Sequence, residues 1–155
     1  MRLFPLDNEI VHLPSDGRLD RAIYAANLAL MREADIGICN LTPFRGIGAD
    51  AGTVFELGMM LGLGKPVFGY TNHCDDLLTR TGAACTVIPR EKGYFDEQGL
   101  FVEDFGNSDN LMIDASLALA GRPIIKPFGL IADLHRDLQG FEKCLTLART
   151  EAASL

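Results

Sequence analysis

The stretch Asp35-Ile36-Gly37-Ile38-Cys39-Asn40-Leu41 is short and apolar, and what flanks it decides the fold. An apolar run of this length, entered from a helix and left through a turn-rich loop, reads as a buried parallel strand. Residues 42–49 form that loop. Asp50-Ala51-Gly52-Thr53 then opens a helix through about Leu63, with Asp50 suited to accept hydrogen bonds from free N–H groups of the first turn. Lys65-Pro66-Val67-Phe68-Gly69-Tyr70 supplies the next strand. Upstream, Leu19, Ile23, Ala26, Leu30 and Ala34 recur at helical spacing, which predicts an amphipathic helix over 16–34 that carries Asn27. Helix, strand, loop, helix and strand in this order point to an α/β fold built on a parallel sheet. Ligands of such sheets gather at the carboxyl ends of the strands, so chemistry is expected in 42–56.

Farther out the signals weaken. Leu3-Phe4 reads as the end of a short strand that turns through Pro5-Leu6-Asp7-Asn8-Glu9. Residues 71–99, rich in Gly, Asp and Thr, read as a long loop with one helical patch near Asp75–Leu78. Ser108 is the expected cap of a helix whose inward face is Leu111, Ala115, Ala118 and Leu119. A last helix is expected from about Ile131, with Leu134, Leu138, Phe141, Leu145 and Leu147 as its core stripe.

Composition narrows the function. With 155 residues, 48% hydrophobic and 23% charged, residues 1–155 fit a single domain with a real core. Fourteen basic against 21 acidic residues give a net charge of −7, which disfavours nucleic acid and anionic membrane as partners. Cys39, Cys74, Cys85 and Cys144 contain no C-x-x-C pair and hence no zinc-ligand spacing; Cys39 reads as core, Cys74 and Cys85 as partly exposed. His12, His73 and His135 read as surface residues, and neither a metal nor a cofactor is expected. No secretory leader or run of about 18 apolar residues is present, so the expected location is cytoplasmic.

Two carboxylates mark the segment singled out above. Gly46, Gly48 and Gly52 let a ligand approach the backbone, and free N–H groups at a helix entrance favour anionic or hydroxyl-rich groups, which suits a sugar. At a glycosidic bond one acid attacks the anomeric carbon while another group helps the leaving base take a proton. Glu56 is the candidate nucleophile. Asp50 lies six residues earlier, a rotation of about 600° in continuous helix, so the two converge only if Asp50 sits in the preceding loop. Spacing alone leaves open that Asp50 is only a helix cap and Glu56 only a solvated residue. Arg45 is open in the same way, between a ligand contact and an ion pair with Asp50.

The run from Ala34-Asp35 to Tyr70, with D-x-G-T-x-F-E-L-G followed by G-K-P-V, resembles the core signature of the nucleoside 2-deoxyribosyltransferases. Pro5-Leu6-Asp7-Asn8-Glu9 is similar to that family's turn beside the substrate, and Val102-Glu103-Asp104-Phe105-Gly106 through Asn110-Leu111-Met112 to its late motif. Three motifs in order, over roughly Phe4 to Ile113, are far more specific than one. The resemblance implies a flavodoxin-like parallel sheet flanked by helices. It implies that Glu56 forms a covalent deoxyribosyl ester and passes the sugar to another base or to water, with Asp50 near the departing base and Asn27 positioning Glu56. By the same resemblance Asn8, Glu9 and Gly52 fall at the substrate, with Glu9 at the base. Asn110 would reach the sugar 5'-hydroxyl of a neighbouring subunit, which implies a homo-oligomer acting on deoxynucleosides and nucleobases.

The match departs from the family at its start. Relatives usually open with a further strand, a Gly-Pro turn and a substrate-contacting aromatic residue, and this sequence begins after them. In a flavodoxin-like sheet that strand is central, so either the natural chain starts upstream of Met1, or another segment such as Pro123-Ile124-Ile125-Lys126 fills the gap, or strands are rearranged between subunits. Two other readings stand beside transfer: an N-glycosidase acting on nucleosides or 5'-nucleotides, and a catalytically silent nucleoside-binding module.

Overall fold

The computed structural model describes residues 17–153. Helix α1 (Leu19–Glu33) leads into strand β1 (Gly37–Asn40), helix α2 (Ala51–Gly62) and strand β2 (Val67–Tyr70). Helix α3 (Leu77–Ala84) and three short strands follow, β3 (Val87–Arg90), β4 (Gly93–Asp96) and β5 (Phe101–Val102). Helices α4 (Leu111–Leu119) and α5 (Gln139–Ala152) complete the chain.

β1 and β2 pair in parallel, Gly37 opposite Val67 through Asn40 opposite Tyr70. This register sorts side chains by their alternation along each strand. Cys39 and Val67 point to one face, where they pack with Met31 of α1, Leu57 and Met60 of α2, and Ile113 and Leu117 of α4. Phe68 and Tyr70 point to the other, against Cys144 and Ala148 of α5. Helices thus cover both faces of a parallel sheet, the α/β arrangement expected.

Each face carries a glycine where a helix comes close. A Cβ on Gly69 would lie 2.7 Å from Leu117 Cδ1 and 2.9 Å from Leu41 Cδ1; one on Gly140 would lie 2.6 Å from Tyr70 Cδ2. Packing this tight has no slack for a methyl group. Gly69→Ala is expected to lose about 1–3 kcal/mol, read as a lower urea midpoint, because Leu117 and Leu41 are both fully buried and must leave their rotamers.

Pro123–Lys126 does join the sheet, beside β2. Ile125 bridges Tyr70 in parallel, with Ile125 N–H donating to Gly69 O and Thr71 N–H to Ile125 O, on the side of β2 away from β1. The other edge of β1 has no strand partner among the described residues.

Three expectations are corrected. Residues 71–99 are built: Asp76 caps α3 by accepting from Thr79 N–H at 2.8 Å, and β3, β4 and β5 form an antiparallel sheet. Its Gly and Asp residues mark the turns between short strands, and Pro89 is tolerated because β3 lies at the edge. Helix α4 is capped by Asn110 rather than Ser108, which moves its inward face to Ile113 and Leu117; Leu119 is 90% exposed. Helix α5 starts at Gln139, with Gly140, Cys144 and Ala148 inward and Leu138 and Leu147 outward. Residues 131–138 are instead a strap, held where the buried Asn72 amide donates to Leu134 O at 2.7 Å and Asp137 O at 2.9 Å. Among the described residues no helix is long and apolar enough to cross a membrane.

Candidate active site

The carboxyl ends of β1 and β2 are tied together by polar side chains. Asn40 Oδ1 accepts from Thr42 N–H at 3.0 Å and from its hydroxyl at 2.6 Å, and Thr42 Oγ1 accepts from Asn72 N–H at 3.0 Å. Thr42 and Asn72 are both buried, so the loop that leaves β1 is fixed where it starts.

The loop ends at Asp50, which sits outside α2 in extended backbone and accepts from Thr53 N–H at 3.0 Å. Its carboxylate folds back over Gly52, where a Cβ would lie 3.0 Å from Asp50 Oδ2. A cap of this kind satisfies a donor that the helix leaves unpaired. Asp50 thereby occupies the loop position from which it can share a site with Glu56.

Glu56 lies one turn into α2, half-buried where α1 crosses. Asn27 Nδ2 reaches Glu56 Oε1 at 3.5 Å, and beside them Tyr24 and Phe55 place their ring centroids 6.3 Å apart. Burial raises the Glu56 carboxyl above its ordinary range, and the charge on Asp50 raises it further. The Cys39 thiol is pushed up to about 12, first by its own burial and then by the charges of Glu56 and Cys144, so it stays protonated and inert at neutral pH.

The structure therefore brings Glu56, Asn27, Asp50 and Gly52 to one place. Asn110 stands apart from these bonds: its Oδ1 accepts from Met112 N–H at 3.0 Å and its Nδ2 donates to Glu103 Oε1 at 2.7 Å, while Glu103 Oε2 also accepts from Leu111 N–H at 2.7 Å. Asn8 and Glu9 lie outside the described residues. Arg45 takes a positive φ of 55°, costly for a residue with a Cβ, and its guanidinium lies 4.9 Å from the Phe44 ring centroid. A cavity of about 310 Å³ lies at the Ile125 edge of the sheet, between Asn72, Ile131 and Gln139, and none of the expected site residues among the described ones lines it.

One element of the site is absent from the sequence reading. The Arg80 guanidinium, carried by α3, is buried and donates to Ile47 O at 2.9 Å, Asp75 O at 2.8 Å and Ser108 O. It pairs at 3.7 Å with Asp109, whose Oδ2 accepts from Ala49 N–H at 2.8 Å. Asp114 in turn accepts from Ser108 N–H and Asp109 N–H. The loop that delivers Asp50 is thus clamped at Ile47 and Ala49 to α3 and to the start of α4.

Parallel strands covered by helices, with a fixed loop leading from β1 to a helix capped by Asp50 and carrying Glu56, define an α/β protein, a class whose ligands bind at the carboxyl edge of the sheet. The chain belongs to the nucleoside 2-deoxyribosyltransferase family, whose family model matches residues 1–112. A solved structure, the 2-desoxiribosyltransferase from Leishmania mexicana, is similar over 94% of this chain and 73% of that chain, with a TM-score of 0.57 at 24% identity; at that identity it supports the fold alone. No match is found among curated proteins.

Proposed function

We propose that this protein transfers 2-deoxyribose between nucleobases, with Glu56 as the nucleophile. One observation carries the reading: in a chain of this family, the matching carboxylate is half-buried where α1 meets α2, in contact with Asn27 and close to Asp50, the cap of α2. A Glu56 oxygen attacks C1' of a deoxynucleoside, and the bond from C1' to the base nitrogen breaks with its electron pair going to the base. The base takes a proton as it leaves, assisted by Asp50, and the sugar stays as an ester on Glu56. A nitrogen of an incoming base then attacks C1', sheds its proton and frees the carboxylate. Partial removal of water from Glu56 favours the attack, since less hydration is stripped from the oxygen as the bond forms. Asn110, exposed at the start of α4, would serve the 5'-hydroxyl of a sugar bound by a neighbouring subunit, so a homo-oligomer is part of the proposal.

Incubation with 2'-deoxyinosine and a second free base tests the activity. A new deoxynucleoside is the expected product. Free deoxyribose with no new nucleoside would assign hydrolysis instead, and neither product would overturn both readings.

The pH profile tests the pair of acids. Ionised Glu56 is the attacking form, so kcat/KM is expected to fall as pH drops through its raised value. Asp50→Asn removes the neighbouring negative charge and is expected to move that acid limb to lower pH, whatever it does to the maximum rate. An unmoved limb would dissociate Asp50 from the titration of Glu56.

A further inference from the structure

A second cluster of chemically able side chains stands apart from Glu56. Just past the end of β2, His73, Cys74 and Asp75 are all half-buried, and their imidazole, thiol and carboxylate offer ligand atoms that all lie within 4.8 Å of one another. The carboxylate lies between the other two: Oδ1 is 3.6 Å from Cys74 Sγ, and Oδ2 is 3.9 Å from His73 Nδ1. Tetrahedral zinc, with bonds of about 2.3 Å to sulfur and about 2.0–2.2 Å to nitrogen and oxygen, sets its ligand atoms roughly 3.3–3.6 Å apart. The oxygen–sulfur edge has that length already; the imidazole must move closer, since its Nδ1 lies 3.9 Å from Asp75 Oδ2 and the three ligand atoms spread over up to 4.8 Å.

Two features prepare these donors. Asp75 N–H donates to His73 Nδ1 at 3.2 Å, which leaves the lone pair on that nitrogen and the proton on Nε2, the neutral tautomer that a cation at Nδ1 requires. Entry of a cation exchanges one weak hydrogen bond for a coordinate bond. The backbone is also held in place: His73 N–H donates to Thr71 Oγ1 at 3.2 Å, and Arg80 donates to Asp75 O at 2.8 Å. Thr71 and Arg80 are themselves buried, so little ordering is left to accompany binding.

We infer that His73, Cys74 and Asp75 form a three-ligand site for a borderline divalent cation such as zinc, with a fourth position open to water or an external ligand. The thiol gives its proton to solvent as the sulfur–metal bond forms, so one proton is released per ion bound and no oxidation state changes. The sugar-transfer chemistry proposed for Glu56 does not use this ion. Arg80 connects the two regions, since the same guanidinium holds Asp75 O and Ile47 O of the loop before α2.

The test uses the full chain, freed of metal by a chelator that is then removed. Cobalt(II) is the spectroscopic probe, and zinc is titrated calorimetrically in buffers of different ionisation enthalpy. A thiolate-to-cobalt charge-transfer band that saturates at one ion per chain and is displaced by zinc is expected, with about one proton released. Cys74→Ser is expected to abolish the band, and Cys74→Ser, His73→Ala and Asp75→Asn to weaken zinc binding at least roughly tenfold each, since loss even of an outer-shell partner costs about that much. Cys85→Ser, which alters the exposed thiol, is expected to change neither. Absence of the band in the unaltered protein, a band that survives Cys74→Ser, or zinc affinity indifferent to all three ligand substitutions would overturn the proposal.

Discussion

Glu56→Gln is expected to lower sugar transfer by roughly three to six orders of magnitude, the range seen when a nucleophile is removed from an otherwise intact site. Deoxynucleoside affinity should stay within roughly tenfold, because the substituted side chain keeps its shape and its oxygen still accepts from Asn27 Nδ2. Intact-mass measurement after brief exposure to a deoxynucleoside should show the added deoxyribosyl group on the unaltered protein and none on the variant. The variant should also be the more stable protein at neutral pH. Glu56 titrates above its unfolded value in the fold, so its contribution to stability is fully present below the ordinary carboxyl range and is lost as pH rises through the raised value. Glutamine carries no charge to lose, so the two proteins should converge in acid and separate above that window, with glutamine ahead. Transfer by the variant within tenfold of the unaltered rate would remove Glu56 from the mechanism.

Arg80→Met is expected to cost about 3–5 kcal/mol, the largest stability effect of any substitution considered. The reason lies in what is left behind rather than in the ion pair alone. Arg80 and Asp109 side chains are 5% and 8% exposed, and Arg80 serves three backbone carbonyls besides the carboxylate. Methionine fills the volume but donates nothing, so buried acceptors and a buried charge lose their partner together. Asp109→Asn should cost less, because Arg80 keeps its carbonyls and the amide oxygen can still accept from Ala49 N–H. Arg80→Lys should fall between, since one ammonium cannot reach the positions that a planar fork spans. Urea unfolding at neutral pH reads all three. A loss below about 1 kcal/mol for Arg80→Met would mean that water replaces the clamp.

What the sequence made legible follows from the range of each signal. The apolar run 35–41, the cap at Asp50 and the strand after Lys65-Pro66 are local: a few adjacent residues fix each, and the structure places them within a residue or two. The stretch 71–99 reads as a loop because four-residue strands with no fully buried position carry too few alternations to separate them from one. Ser108-Asp109-Asn110 offers three cap-forming residues in succession, and only the tertiary use of Asp109 by Ala49 and Arg80 leaves Asn110 as the cap. The stripe expected for the last helix misled because large apolar residues usually face the core; here the inward residues are small, since Gly140 must clear Tyr70. Arg80 had no signal at all, as a buried arginine is legible only through acceptors contributed from elsewhere in the chain.

The hydrogen bonds that run from Asn40 through Thr42 and Asn72 to Leu134 and Asp137 join parts of the chain far apart in sequence. Buried polar chains of this kind break at high cost and so tend to open as one cooperative unit. Strap and strand ends are therefore expected to open together, and the loop that leaves β1 for α2 starts from within that unit.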